Sequence, residues 1–381
     1  MNIIVKKFGG TSVATIERIK AIAEHLAEER KKEEHIVVVV SAMAKTTDQL
    51  ISLAKEISPN PCSRELDMLL TAGERISMSL LSLALQELGI QSISFTGSQS
   101  GIITDSVHGN AKIQTVNAFR IKEELEKGKI VIVAGFQGVS REKEITTLGR
   151  GGSDTSAVAL SSYLNAVKCE IYTDVDAVYS ADPRYVDNTQ PYKNLSYEQM
   201  LYLAYQGSKV LQPRAVEFAY KYQIPVEVKS SFTFKEGTMI QNMENNLVKA
   251  IAHKENLLWL KVKCPFSETA QILKTIKTEV FDFFIQQMEL NLLIESKFLE
   301  PINTELSDKE LIINSKKYAS VTISGVRIAH DNEFVAELIE LLEEKHIQIY
   351  NLITDGLGVS LIIDQDCYKV ALGLIHTKYI R

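Results

Sequence analysis

The sequence predicts an α/β fold: a three-layer sandwich with a mostly parallel central sheet, followed by two small ferredoxin-like modules. Three observations point there. Short apolar runs alternate with helical patterns over about the first 245 residues, which is how a sheet covered on both faces reads. Those runs end toward Gly, Ser, Thr or Asp, and open α/β sheets bind ligands outside the carboxyl ends of their strands. Beyond Asn245 the glycine clusters stop, and a strand-helix-strand-strand order appears twice, about 60 residues apart.

In order, the first strand is Asn2–Val5, followed by Lys6-Lys7-Phe8-Gly9-Gly10-Thr11-Ser12 and a helix from Thr15 to near Ala27. That stretch fits a tight turn. It equally fits an anion site, in which glycine amides and a helix N-terminus face a phosphate and a lysine neutralises it. Strand His35–Val40 runs into Ser41-Ala42-Met43-Ala44-Lys45-Thr46-Thr47. A long helical pattern, Arg64–Leu88, contains Gly73-Glu74. Strand Ser92–Phe95, helix Asn117–Lys127 and strand Lys129–Ala134 follow. The run from Thr146 to Ser156, with Gly149-Arg150-Gly151-Gly152-Ser153-Asp154 at its centre, opens helix Ser153–Leu164. Strand Cys169–Thr173 leads into Asp174-Val175-Asp176, with Tyr179 to Arg184 close behind. Gly207-Ser208-Lys209-Val210 starts helix Ser208–Tyr222, and strand Val226–Lys229 follows. The first module then reads Leu257–Lys263, Ser267–Thr278, Phe281–Met288 and Leu290–Ser296. The second reads Ala319–Ser324, Asn332–Lys345, Ile347–Thr354 and Gly358–Ile363, with a last helix Cys367–Leu374.

At 381 residues the chain is long enough for two or three domains. It is 45% hydrophobic and 24% charged, as a globular protein is, and its net charge of −6 leaves no footprint for nucleic acid. The four cysteines lie far apart without CxxC spacing, which argues against a zinc site or disulfide framework. No apolar run reaches 18 residues and no signal peptide is evident, so the expectation is a cytoplasmic protein with no membrane partner.

The Gly149–Asp154 run carries the most chemistry. Ser153 or Asp154 can cap the helix. A cap does not explain Arg150, whose donor fork matches a carboxylate, nor the glycines around it, which let backbone approach a ligand. Asp154 can also face a lysine. If the strands are right, Lys7, Arg150 and Lys209 share one rim of the sheet with Glu74. Lysine suits phosphate as a point charge, arginine suits a carboxylate, and Glu74 can hold an ammonium group or simply be a solvated helix residue. Together they describe a pocket for an amino acid beside a triphosphate. No GxxxxGK[ST] sequence and no HRD or DFG motif is present, so neither a P-loop enzyme nor a protein kinase is indicated.

These stretches resemble the signatures of the aspartokinases, a family of the amino acid kinase superfamily. The resemblance rests on Lys7–Ser12, Gly73-Glu74, Thr146–Ser156, Tyr172-Thr173-Asp174-Val175, Asp182-Pro183-Arg184 and Gly207–Leu211. It covers the whole chain and implies an amino acid kinase domain over 1–245 and ACT-like modules over 246–318 and 319–381. A strand near 247–252 would pair with the second module. The implied reaction is ATP-dependent phosphorylation of L-aspartate on its side-chain carboxylate, the first step toward lysine, diaminopimelate and threonine. The implied roles follow. Lys7 binds phosphate and stabilises the transferred group, organised by Asp154. Gly9 and Gly10 supply an amide cradle, with Ser41 near the phosphates. Thr47, Glu74, Arg150 and Ser153 hold aspartate. Thr173, Asp174, Tyr179, Arg184 and Lys209 surround the nucleotide. Magnesium bridges the ATP phosphates with few protein ligands. A homodimer through the ACT modules is implied as well.

Two alternatives remain open at this level: a kinase for another acidic amino acid, and a catalytically weak amino-acid sensor. There are also departures from the family. Gln212 stands where histidine is frequent. The module turns read Lys263-Cys264-Pro265-Phe266-Ser267-Glu268 and His330-Asp331-Asn332-Glu333, without the family's glycines, and Ile353-Thr354-Asp355-Gly356 replaces a Ser-Thr-Ser-Glu-like strand end. The expectation is weak feedback control by lysine or threonine.

Overall fold

The computed structural model describes residues 1–31, 35–243, 249–286, 288–325, 331–355 and 357–380. The chain forms two compact units. One holds Met1–Val178, Pro191–Ala204 and Lys209–Asn246, the other Tyr179–Gln190, Tyr205–Ser208 and Leu247–Arg381. The boundary expected at 245 lies outside the described residues.

The first unit begins β1 (Ile3–Phe8), α1 (Ile16–Arg30), β2 (His35–Val40), α2 (Thr46–Ile57), α3 (Ser63–Leu70) and α4 (Ala72–Glu87). It continues through β3 (Ser92–Phe95), β4 (Ile102–Thr104), β5 (Ile113–Val116), α5 (Phe119–Glu126), β6 (Ile130–Ala134), β7 (Gln137–Ser140) and β8 (Ile145–Thr147). Then come α6 (Gly152–Leu164), β9 (Lys168–Thr173), β10 (Asn194–Leu195), α7 (Tyr197–Tyr205), α8 (Pro213–Tyr222), β11 (Val226–Ser230) and β12 (Thr238–Ile240). The main sheet has the order β10-β12-β11-β9-β1-β2-β6-β3. Its strands are parallel except where β12 meets β11. A four-stranded sheet, β5-β4-β7-β8, stands apart from it. The sequence pattern missed that sheet because its strands are three or four residues long, too short to show a period.

Alternation along β1 explains its paired lysines. Phe8 joins the apolar core under α1 and α4, with Ile36, Val38 and Val40 of β2 and Ile130 and Ile132 of β6. Lys6 lies on that same face, fully buried, with its Nζ 2.6 Å from Glu170 and 2.8 Å from Glu29. Lys168 and Lys229 also approach Glu170, at 2.7 and 3.5 Å, so three ammonium groups surround one buried carboxylate. Burial alone would push Glu170 up. Lys6, Lys229 and Lys168 more than offset that and hold it down at about 2. Lys7 points to the opposite face, where α6 packs on β1, β2 and β9.

Two helical expectations need correction. The single helix Arg64–Leu88 is two helices that meet at Thr71. By length and composition Ser63–Glu87 could cross a membrane, but half of that apolar window is buried inside the protein, as in a core helix. The helix expected from Ser208 starts only at Pro213, whose fixed φ suits a first helical position, with Gln212 before it as N-cap.

The second unit comprises β13 (Ala250–Lys263), α9 (Phe266–Thr275), β14 (Asp282–Gln286), β15 (Glu289–Glu295), α10 (Leu299–Glu305), β16 (Leu311–Ile313), β17 (Tyr318–Ser324), α11 (Asn332–Glu343), β18 (Ile349–Asp355), β19 (Gly358–Asp364) and α12 (Tyr368–Tyr379). Its sheet runs β14-β15-β13-β17-β19-β18, all antiparallel, with β16 also on β13. Two small β/α modules of the ACT-like kind thus lie side by side, joined where Ala250–Lys254 pairs with Ser320–Ser324.

Candidate active site

In the first unit, a cavity of about 630 Å³ opens beyond the carboxyl ends of β1 and β2. The first turns of α2, α4 and α6 all reach it, through Thr47, Glu74, and Ser153 with Asp154. A helix N-terminus presents unpaired N–H groups and a partial positive charge, so those of α2 and α6 favour an anion.

The charged groups sit at defined places in its wall. Lys7 is 8% exposed, and its Nζ lies 2.6 Å from Asp154 Oδ1 as an ion pair. Glu74 is 3% exposed. Its Oε1 accepts the Ala42 N–H at 3.1 Å, while the buried Oε2 has no hydrogen-bond partner. Burial pushes this carboxyl up to about 7, against the pull of the backbone N–H groups of Glu74 and Ala42. An ammonium group placed at Oε2 would supply the missing partner. Gly73 makes the arrangement possible, since a Cβ there would fall 2.7 Å from the Ala42 Cβ and force α4 away from that loop.

Arg150 lines the cavity from an exposed position between β8 and α6. The N-cap of α6 is Gly151, not Ser153 or Asp154, and it makes no side-chain cap bond. Its φ of +66° is left-handed, and a Cβ would collide with Gln212 Cγ at 2.1 Å. Both expected capping residues therefore lie inside the helix, and Asp154 is free to meet Lys7.

Of the residues expected from the sequence, the cavity wall brings together Lys7, Gly10, Ser41, Thr47, Glu74, Arg150, Ser153 and Asp154. Gly9 is not in the wall, and its N–H donates to Tyr172 O at 3.2 Å, so it cannot serve as a cradle donor. The turn consumes that amide to tie β1 to β9. Thr173 and Asp174 lie at the carboxyl end of β9, bonded to each other at 3.0 Å through the Thr173 hydroxyl. Lys209 precedes α8 and does not line the cavity. Tyr179 and Arg184 belong to the second unit, where Asp182 takes the Arg184 guanidinium at 3.0 and 2.6 Å.

Asp67, Thr147 and Phe136 also line the cavity and were not singled out from the sequence. Asp67 had a legible signal. It lies between Leu66 and Leu70 on the apolar stripe of α3, where a carboxylate is out of place unless something bonds it.

A model of the amino acid kinase family matches residues 2–230. Aspartokinase 2 of Bacillus subtilis (strain 168) is 41% identical, with 100% of this chain and 98% of that protein covered. The aspartate kinase from Synechocystis, a solved structure, is 33% identical with a TM-score of 0.58, over 98% of this chain and 68% of that one. E. coli aspartokinase III in complex with aspartate and ADP shares only 22% identity. Its fold nonetheless matches with a TM-score of 0.87 over 100% of both chains.

Proposed function

The chain belongs to the amino acid kinase family and is closely related to the aspartokinases, and on that footing we propose that it transfers the γ-phosphoryl group of ATP to the side-chain carboxylate of L-aspartate. The products are 4-phospho-L-aspartate and ADP. One observation carries the assignment of the site: a single cavity holds the Lys7–Asp154 pair, Arg150, and the partnerless buried oxygen of Glu74. Those groups complement a phosphoryl group, an α-carboxylate and an ammonium group.

The mechanism follows from charge. The β-carboxylate of aspartate is ionised at neutral pH and attacks the γ-phosphorus without a general base. As the new O–P bond forms, the bond to the β-phosphate oxygen breaks and ADP leaves with that electron pair. The obstacle is bringing an anion to a polyanion, so the protein acts by positioning and neutralisation. Arg150 takes the α-carboxylate through its fork, Glu74 the ammonium, and Thr47 and Ser153 the remaining polar atoms. Lys7, aimed by Asp154, meets the charge on the transferred group. Gly10 and Ser41 flank the phosphates, and Thr173, Asp174 and Lys209 lie toward the nucleotide. Among the described residues no cluster of three or more His, Cys, Asp or Glu side chains could hold a metal ion. Magnesium, when bound with ATP, would supply shielding of the phosphate charge.

The second unit supports a homodimer. Its helices cover one face of the sheet, packing on Leu258, Leu260 and Val262. On the other face Trp259, Phe284, Tyr318 and Tyr350 form a chain of edge-to-face rings, with Tyr350 exposed. Partly wet aromatic surface of this kind suits a subunit interface. We place the protein in the cytoplasm, where ATP and aspartate are available.

The deciding experiment is steady-state ADP release with ATP and, in turn, aspartate, glutamate and N-acetylglutamate. Aspartate alone should support turnover. Turnover with the acylated substrate would remove Glu74 from the ammonium. No turnover with any of them, in a folded protein that still binds aspartate, would make it a sensor.

A further inference from the structure

The cavity wall beside Arg150 contains a carboxylate that the mechanism does not use. Asp67 is 1% exposed. It accepts from the ring Nδ1 of His108 at 2.7 Å, from the Gly109 N–H at 3.2 and 3.1 Å, one to each oxygen, and from the Thr147 hydroxyl at 2.5 Å. A carboxylate offers about four acceptor sites. Three donors, one of them shared between both oxygens, engage most of these, so the Asp67 carboxylate is committed to the protein's own backbone and side chains.

What it holds is the base of the Arg150 loop. Thr147 is the last residue of β8, three before Arg150. Ala111 donates its N–H to Thr147 O at 2.9 Å, so the segment after Gly109 is tied to the same strand end. From the other side the Arg214 guanidinium donates to Leu148 O at 2.7 Å, to Asn110 Oδ1 at 3.1 Å and to Ala111 O at 2.5 Å. Residues 108–111 and 147–148 are thus pinned to one another between a buried carboxylate and a guanidinium. Beyond that clamp the backbone turns through Gly149 and Gly151, both at positive φ, with Arg150 between them. An arginine flanked by two glycines has little of its own to hold it, and its aim depends on where the preceding strand end is fixed.

We propose that Asp67 is a positioning residue: by clamping Gly109 and Thr147 it aims Arg150 at the α-carboxylate of the amino acid substrate. This rests on the reading of Arg150 as the holder of that carboxylate, and the test separates the two ideas. Aspartate and ATP kinetics are measured for Arg150→Lys, Asp67→Asn and the double variant, alongside thermal melts. Asp67→Asn keeps the shape of the side chain but turns an acceptor into a donor that faces donors. Each single variant is expected to raise the KM for aspartate about tenfold, with the KM for ATP and the turnover at saturating aspartate within about threefold of the parent. The double variant should be no worse than the worse single one, within about threefold, because both changes remove the same contact. A double variant that multiplies the two effects, to about a hundredfold, overturns the proposal. So does an Asp67→Asn effect spread equally over turnover and both substrates, which is how a merely structural residue behaves. If Arg150→Lys leaves the aspartate KM unchanged, the reading of Arg150 itself fails and the proposal with it. Should Asp67→Asn not fold, Thr147→Val removes one donor from the clamp with little change of shape, and the same cycle with the same outcomes applies.

Discussion

Lys7 and Glu74 meet opposite circumstances in one cavity. Lys7 has its counter-charge in Asp154 at 2.6 Å, while Glu74 has none and is pushed up to about 7 by burial. Lys7→Ala should lower turnover by about 10²–10³, the usual loss for one preorganised donor to a developing charge, with the protein still folded. Kinetics beside a thermal melt check this, and a folded variant keeping more than about a third of turnover takes Lys7 out of the chemistry. Arg150→Lys keeps the charge but loses the fork, so the aspartate KM should rise at least about tenfold while that for ATP moves little. Glu74 makes a pH prediction. Below about 7 its carboxyl is protonated and holds an ammonium group poorly. The aspartate KM should therefore rise by about tenfold for each pH unit below that value and level off above it. Free aspartate keeps its ammonium throughout that range, so the titration belongs to the enzyme. A flat profile would separate Glu74 from the ammonium, and Glu74→Gln should abolish the dependence while leaving the KM high.

At the scale of elements, strands β1, β9 and β11 are joined by charge as well as by backbone. Glu170 of β9 is opposite Lys6 on one side and Glu227 on the other, and Lys168 and Lys229 complete the set. Its carboxyl is held at about 2, below the unfolded value near 4.5, so it stabilises the fold fully above about pH 4.5. That contribution is lost as pH falls from there toward about 2. Melts at a series of acid pH values should show the loss, and Glu170→Gln should flatten it. The same variant should be destabilised at pH 7 by about 1.5–3 kcal/mol, because the buried Lys6 would lose one of its two carboxylate partners and keep only Glu29. An unchanged acid slope in Glu170→Gln would assign the loss to other carboxylates.

For the whole molecule, the open matter is whether the second unit responds to amino acids. Phe266, the first residue of α9, is 75% exposed where the family would place a small turn residue. Asp331 caps α11 by accepting the Phe334 N–H at 3.1 Å, and Glu333 adds a second negative charge in that first turn. Asp355 accepts the Leu357 and Gly358 N–H groups at 2.8 and 3.0 Å, amides that an effector carboxylate could otherwise use. His330 and Gly356 lie outside the described residues. Lysine and threonine, alone or together, are therefore expected to give half-inhibition only above about 1 mM at subsaturating aspartate. Inhibition at lower concentrations would show a working effector site.

Much of this was written in local pattern. Six of the eight strands of the main sheet, the repeat of the second unit, and the Lys7, Glu74 and Arg150–Asp154 stretches could be read because apolar period, glycine placement and charge type are properties of neighbouring residues; β10 and β12, two and three residues long, could not. Tertiary structure decided what depends on distant partners. It turned two adjacent lysines to opposite faces, one into a buried charge network and one toward Asp154. It consumed the Gly9 amide on Tyr172, moved the cap of α6 to Gly151, and gathered Asp67, Gly109, Thr147 and Arg214 around the Arg150 loop from four separate segments. A hydrogen bond between residues 80 positions apart leaves no period in a sequence; it exists only once the chain has closed the distance.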